Sequence, residues 1–148
     1  MSRARRRRAS GRDRGSTTIE LAILAPAVIT FFVVAIVAGR FAIALQAADS
    51  AAFDAARTAS LSRTEATALT RARTAATNSF TAQGIRCRSL TVNVDTSGFR
   101  RPVGQPASVR VEVVCVAELR DVALPGMPGS ATLRASFISP LDTYRSRR

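Results

Sequence analysis

The chain lacks histidine, lysine and tryptophan, and it has only two cysteines and one tyrosine among its 148 residues. Without histidine there is no Ser-His-Asp or Cys-His nucleophile and no histidine-containing zinc site. Without lysine there is no Schiff-base residue, Walker lysine or Ser-Lys dyad. Two cysteines are too few for a four-ligand structural zinc site. These absences argue against an enzyme, and they predict no catalytic residue, no cofactor and no metal.

The basic residues are all arginine, 22 in number, and against 10 acidic residues they give a net charge of +12. Such an excess ordinarily suggests nucleic acid, because basic domains gain affinity by releasing counterions from phosphates. However, 47% of the residues are hydrophobic, so charge and apolar residues must lie in different segments. The first fifteen residues, MSRARRRRASGRDRG, hold seven arginines. No aromatic platform accompanies them, so nucleic acid is not an expected partner.

A long apolar segment follows this basic leader. Residues 21–39, LAILAPAVITFFVVAIVAG, are nineteen uncharged positions that end at Arg40. At ~1.5 Å per residue they span roughly 28 Å, about one hydrocarbon core, and predict a membrane-spanning helix. The preceding arginines place the N-terminus in the cytoplasm and the rest of the chain outside. Pro26 lies inside this helix, where it either kinks the axis or is tolerated as other membrane-helix prolines are.

The helical pattern continues beyond Arg40, with alanine in two rows of spacing four, at residues 44, 48, 52 and 56 and at 47, 51, 55 and 59. Two interpretations stay open: the rows raise helix propensity, or they form a smooth ridge that packs against sister helices. Ser62 and Glu65 have the spacing of a capping box, which predicts that a second helix begins there. Gly84 is placed to end that helix.

The last third of the chain has the period of β-strands. Apolar residues alternate with polar ones at 90–94 and at 109–113, and a third strand is expected at about 131–138. The expected fold is α+β, with a long N-terminal transmembrane helix, a second helix and a small head with a three-stranded antiparallel sheet. Cys87 and Cys115 lie in this head. A disulfide between them is favoured if the head is outside the cell, and two buried thiols are the alternative.

Five segments are therefore expected. They are a basic class III leader peptide (1–15), a transmembrane and extended helix (16–60), a second amphipathic helix (61–84), a small extracytoplasmic β-rich head (85–140) and a disordered basic tail (141–148).

The junction between leader and apolar run is the most informative segment, and it reads RGSTTIE from Arg14 to Glu20. A carboxylate at the start of a membrane helix is costly unless a cation meets it. Cleavage after Gly15 would supply that cation as the free amine of Ser16, close to Glu20 of the same or a neighbouring subunit. The helix dipole would also favour Glu20. This arrangement is typical of type IV prepilins, which a prepilin peptidase cuts on the cytoplasmic side of the membrane.

Residues 14–57 as a whole resemble the TadE-like family of pilus-assembly pseudopilins. The matching positions are Arg14-Gly15, Glu20, Pro26, Gly39-Arg40, Ala51-Ala52 and Ala56-Arg57. The resemblance implies a minor pilin or pseudopilin that assists assembly of a tight-adherence (Flp-type) pilus. It also implies a single-pass protein of the cytoplasmic membrane or the cell-surface pilus. The implied partners are other pilins or pseudopilins through the N-terminal helix, the prepilin peptidase, pilus-assembly platform proteins and membrane lipid.

Two alternatives without a pilus role stay open. One is a secreted protein with a cleavable Sec signal, for which Ala42-Ile43-Ala44 offers an A-x-A site. The apolar run of this chain, residues 21–39, is longer than the apolar region of roughly 7–15 residues in such signals. The other is an uncleaved, membrane-anchored extracytoplasmic protein.

Overall fold

The computed structural model describes residues 14–118 and 129–144, with residues 14–19 described by their helical backbone alone. In chain order the elements are helix α1 (Arg14–Ser60), helix α2 (Glu65–Ala82), strand β1 (Cys87–Asp95), a 3₁₀ turn (Ser97–Arg100), strand β2 (Ser108–Glu118) and strand β3 (Ser130–Pro140). The predicted α+β fold class, with a long N-terminal helix, a second helix and three strands, is confirmed. The chain divides into two compact units, residues 1–39 and 40–148.

In the first unit, the described residues are those of the N-terminal part of α1. From residue 20 onward the helix is long and apolar enough to cross a membrane, with a mean hydropathy of 2.8 in its most apolar window, none of which is buried. An exposed apolar surface of this extent normally contacts lipid or another protein. The helix therefore suggests a single-pass membrane anchor.

The second unit, called the head below, is built on an antiparallel sheet of strand order β1-β2-β3. Val113 at the centre of β2 pairs with Val92 of β1 and with Ala135 of β3. Because side chains alternate along a strand, the valines at 109, 111 and 113 and Cys115 share one face, and all four are fully buried. The predicted alternation of β2 is thus the basis of the core.

The second half of α1 and the whole of α2 cover this buried face. The rings of Phe53 in α1 and Phe137 in β3 meet edge to face, with centroids 4.9 Å apart. The Ser139 hydroxyl of β3 donates a 3.0 Å hydrogen bond to the Ser60 hydroxyl at the end of α1. Helix α2 instead contacts β1. The two helices therefore lie over opposite edges of the sheet, α1 over β3 and α2 over β1.

The alanine rows of α1 belong to this core. Seven of the eight alanines, at 47, 48, 51, 52, 55, 56 and 59, are at most 1% exposed. Six of them form one buried cluster with Ala68, Ala72 and Ala76 of α2 and with the sheet residues. The interpretation that these buried alanines pack against sister helices is therefore wrong, because their side chains are already covered within the head. Their small size lets the backbone of α1 approach its neighbours closely.

Replacing Ala56 with leucine should lower the free energy of unfolding of the head by about 1–3 kcal/mol, because added methylenes strain a packed core. Ala56 is 0% exposed and belongs to the buried cluster of the head. Ala42→Leu, at an exposed position of the same helix, is the matched control and should change stability by less than about 0.5 kcal/mol. Urea denaturation of the full chain in detergent measures both. Equal losses in the two variants would contradict the packing described above.

The start of α2 differs from the predicted one. Its N-cap is Thr64, whose hydroxyl accepts from the Thr67 N–H at 3.2 Å, while the Thr67 hydroxyl accepts from the Thr64 N–H at 3.3 Å. This is a capping box made by two threonines. The predicted box of Ser62 and Glu65 is wrong, because Ser62 is still bound to α1. Its hydroxyl donates to the Thr58 carbonyl at 3.3 Å.

The end of α2 is where it was predicted. Gly84 has a φ of +71°, which glycine adopts without the steric cost that other residues bear. Its N–H donates to the Thr81 carbonyl at 3.0 Å, and the Ile85 N–H donates to the Phe80 carbonyl at 2.9 Å. This pair of hydrogen bonds is a Schellman motif, so Gly84 ends the helix as expected.

The connection from β1 to β2 is held by local contacts. The Ser97 N–H donates to an Asp95 carboxylate oxygen at 2.9 Å, and this bond keeps the pKa of Asp95 below its ordinary value. At the buried Gly98, an added Cβ would overlap the Ser108 carbonyl oxygen. Glycine is therefore required here by close backbone approach.

The chain beyond β3 stays attached to the head for a few residues. Leu141 is buried, and its N–H donates to the Ala107 carbonyl at 2.9 Å. The Thr143 carbonyl accepts from the Gly104 N–H at 2.8 Å. The predicted disordered tail therefore does not begin at residue 141. Its last part, residues 145–148, and most of the predicted leader, residues 1–13, lie outside the described residues.

Candidate functional site: the leader junction, the disulfide and two grooves of the head

The predicted processing junction lies at the beginning of α1. The helix begins at Arg14, so Gly15 and Ser16 are in its first turn and Glu20 is in its second. Ser16 and Glu20 are four residues apart, and residues at this spacing are neighbours on one face of a helix. Glu20 is exposed. The structure thus places Glu20 one turn from the nitrogen that cleavage after Gly15 would free.

The helix dipole acts on Glu20 only weakly in the uncleaved chain. Its effect is strongest in the first turn of a helix, and the first turn of α1 contains no acidic residue. Glu20 is the seventh residue of α1 and would be the fifth if the helix began at Ser16. Removal of the leader would therefore bring Glu20 closer to the positive end of the helix dipole and strengthen its stabilisation, although Glu20 would still lie just beyond the first turn.

Pro26 lies within α1, and the helix continues on both sides of it. Proline has no N–H to donate to the carbonyl four residues earlier, which belongs to Ala22. The Thr30 hydroxyl donates to the Pro26 carbonyl at 2.7 Å, so this carbonyl has a partner within the helix. A kink at Pro26 stays a prediction.

Cys87 and Cys115 form a disulfide with their Cα atoms 5.4 Å apart. The sequence favoured this bond over two buried thiols. Cys87 is paired in the sheet with Ala117, and the register shifts between Cys87 and Ser89. The bond therefore runs diagonally from the start of the edge strand β1 to the central strand β2. Cys115 is fully buried and Cys87 is half-buried.

Two open grooves lie along the two helix–sheet edges of the head. The first, between α1 and β3, has a volume of about 630 Å³ and is lined by Asp49, Ser50, Phe53, Asp54, Ser136 and Phe137. We call it the acidic groove. The second, between α2 and β1, has a volume of about 560 Å³; Arg86, Leu90, Thr77 and Phe80 are among its lining residues. We call it the basic groove.

Sequence reasoning missed both grooves. Asp49 and Asp54 belong to no motif in the sequence, and nothing local pairs Phe53 with Phe137. The spacing of four between Asp49 and Phe53 was the one available signal, since it puts them in one row of α1. Among the residues that the structure describes, no cluster of three or more potential ligands could hold a metal ion.

These features suggest a single-pass membrane-anchored protein, with an apolar helix near its N-terminus and an α+β head that contains a disulfide. The family model described as TadE-like protein matches residues 15–57. The resemblance to the TadE-like family is thereby confirmed for the junction, the apolar run and most of α1. It does not extend to α2 or to the sheet. No curated protein and no solved structure matches the chain.

Proposed function

We propose that this chain is a minor pilin or pseudopilin that assists assembly of a tight-adherence (Flp-type) pilus. In this proposal α1 holds it in the cytoplasmic membrane, its N-terminus faces the cytoplasm and its head lies outside. The observation that carries the proposal is the order of Gly15, Glu20 and an exposed apolar helix within residues 15–57, the segment matched by the TadE-like model. The resemblance to this family over residues 15–57 supports a role in a tight-adherence pilus system.

Removal of the leader is the chemical step of this proposal. A prepilin peptidase would add water across the peptide bond between the Gly15 carbonyl carbon and the Ser16 nitrogen. The products are a leader that ends in the Gly15 carboxylate and a helix that begins with the protonated amine of Ser16. That amine lies one helical turn from Glu20. Pairing of the two charges would lower the cost of placing Glu20 at the start of a membrane helix.

The mature helix would then present an uninterrupted apolar surface to its partners. Exposed side chains of the anchor include Ile23, Leu24, Phe31, Phe32 and Val34. In the membrane these contact lipid, and during assembly they contact other pilins or pseudopilins and the platform proteins. Because most of the alanines beyond Arg40 are covered within the head, the proposal assigns intermolecular helix packing to the segment before them.

Gly15→Val should abolish removal of the leader, because the branched side chain occupies the position where the peptidase requires glycine. The full chain is expressed with its prepilin peptidase, and intact mass is measured on the membrane-purified protein. The wild type should begin at Ser16, and the variant should retain residues 1–15. Gly11→Val changes the other glycine of the leader and should be processed like the wild type.

The same measurement separates the alternatives. A wild-type chain that keeps residues 1–15 in the presence of active peptidase would overturn the processing step and leave an uncleaved anchor. A mature chain that begins at Leu45 would establish a Sec signal cut after Ala44.

A further inference from the structure

The acidic groove has an uncovered aromatic floor. Phe53 and Phe137 are 41% and 38% exposed although they contact each other. Asp49 and Asp54 flank them on α1 and are exposed. Within the described part of the chain, neither carboxylate takes part in an ion pair or hydrogen bond. Arg57 follows Phe53 by one turn and does not line the groove. Carboxylates beside exposed rings suit an arginine, which pairs with the former and stacks on the latter.

The basic groove has the complementary character on the opposite flank. Arg86 lines it together with the partly exposed Leu90. Arg73 lies four residues before Thr77, another lining residue, and is therefore in the same row of α2. Leu69 continues this row and is 47% exposed, but it lies outside the basic groove, in a neighbouring one that Asp95 and Glu112 also line. Arginine thus lies beside apolar side chains at the α2–β1 edge, as carboxylates lie beside aromatic side chains at the α1–β3 edge.

We propose that the acidic groove of one copy of this chain binds the basic groove of a second copy. Asp54 and Asp49 would pair with Arg86 and Arg73, and the exposed Phe53 ring would pack on the arginine and leucine side chains. Two acidic grooves would repel each other, so a symmetric contact through one groove is disfavoured. The grooves lie at opposite edges of the sheet, so the contact joins two different surfaces and is heterologous. It leaves one unoccupied groove at each end of the pair, where further copies can bind. It does not require removal of the leader.

Charge reversal on each flank tests the contact. Asp54→Arg and Arg86→Glu should each weaken self-association of the full chain in detergent about tenfold, because each places like charges together. An equimolar mixture should restore association, since the reversed groove of one variant complements the reversed groove of the other. The dissociation constants are measured by sedimentation equilibrium. Arg134→Glu, an exposed reversal on β3 outside both grooves, is the control and should leave association unchanged.

A crosslink locates the contact without relying on affinity. Benzoylphenylalanine in place of Phe53 should crosslink, in membranes, to peptides from residues 69–90 of a second copy. Arg73→Glu should reduce that crosslink severalfold as an independent variant of the basic flank. Failure of the mixture to restore association would overturn the proposal. Crosslinks that join two α1 segments, or that capture a different protein, would overturn it as well. Because none of these readouts depends on the Gly15–Ser16 bond, they are independent of the test of leader removal.

Discussion

The Phe80→Ala variant should lose about 3–5 kcal/mol of its free energy of unfolding, as expected for a buried phenylalanine cut back to alanine. Phe80 is among the largest fully buried side chains of the described residues, at 2% exposure. It belongs to the cluster that joins α1, α2 and the sheet. The surrounding alanines and valines are too short to fill the cavity, so the loss should lie toward the upper end.

Urea denaturation of the full chain, followed by far-ultraviolet circular dichroism, measures this loss. The matched control is Phe41→Ala, because Phe41 lies on α1 of the same unit and is 44% exposed. Phe41→Ala should lose less than about 1 kcal/mol, since the exposed Phe41 side chain buries little apolar area against the rest of the protein. A Phe80→Ala loss no larger than that of Phe41→Ala would contradict the core described above.

Removal of the Cys87–Cys115 disulfide should destabilise the head by about 3–4 kcal/mol in the chain-entropy account of such bonds. The bond closes a loop with a sequence separation of 28 residues and ties β1 to β2. The described residues of the head contain three strands, two α-helical segments and one 3₁₀ turn around a small core, so this loss is a large part of its stability. Reductant should therefore lower the urea midpoint of the wild type.

The double variant Cys87→Ala/Cys115→Ala separates the bond from other effects of the reductant. Its urea midpoint should be low from the outset and should not respond to reductant. A wild type whose midpoint is equally unresponsive, with both thiols shown to be free after treatment, would contradict a stabilising disulfide.

The parts of the fold that sequence predicted are those whose signal is local. The apolar run, the alternation of valines in β2 and the position of Gly84 each follow from periodicity or from a backbone conformation that favours one residue type. The arrangement of Gly15, Ser16 and Glu20 could also be recognised from the sequence, because Glu20 is five residues from Gly15 and four from Ser16 in one helix.

The parts that sequence did not predict depend on tertiary contacts. An alanine ridge looks the same whether a sister helix or the protein's own sheet covers it, and only the burial of the alanines beyond Ala44 distinguishes the two. The start of α2 was placed at Ser62 because Ser62 and Glu65 have the spacing of a capping box. Ser62 instead completes the last turn of α1. Phe53 and Phe137 lie in distant segments of the chain, and no local pattern in either segment indicates that the two rings are in contact.

The burial of the α1 alanines also determines how the head can be isolated as a soluble fragment. The core of the head reaches back along α1 to Ala44, whereas the exposed apolar helix occupies residues 20–39. A fragment that begins at α2 would lose the α1 alanines that cover the sheet and would expose Val111 and Val113. One that begins near Arg40 keeps every buried alanine and discards most of the lipid-compatible surface. The point for truncation is therefore within a helix, between five and six turns before its end at Ser60, at about 3.6 residues per turn.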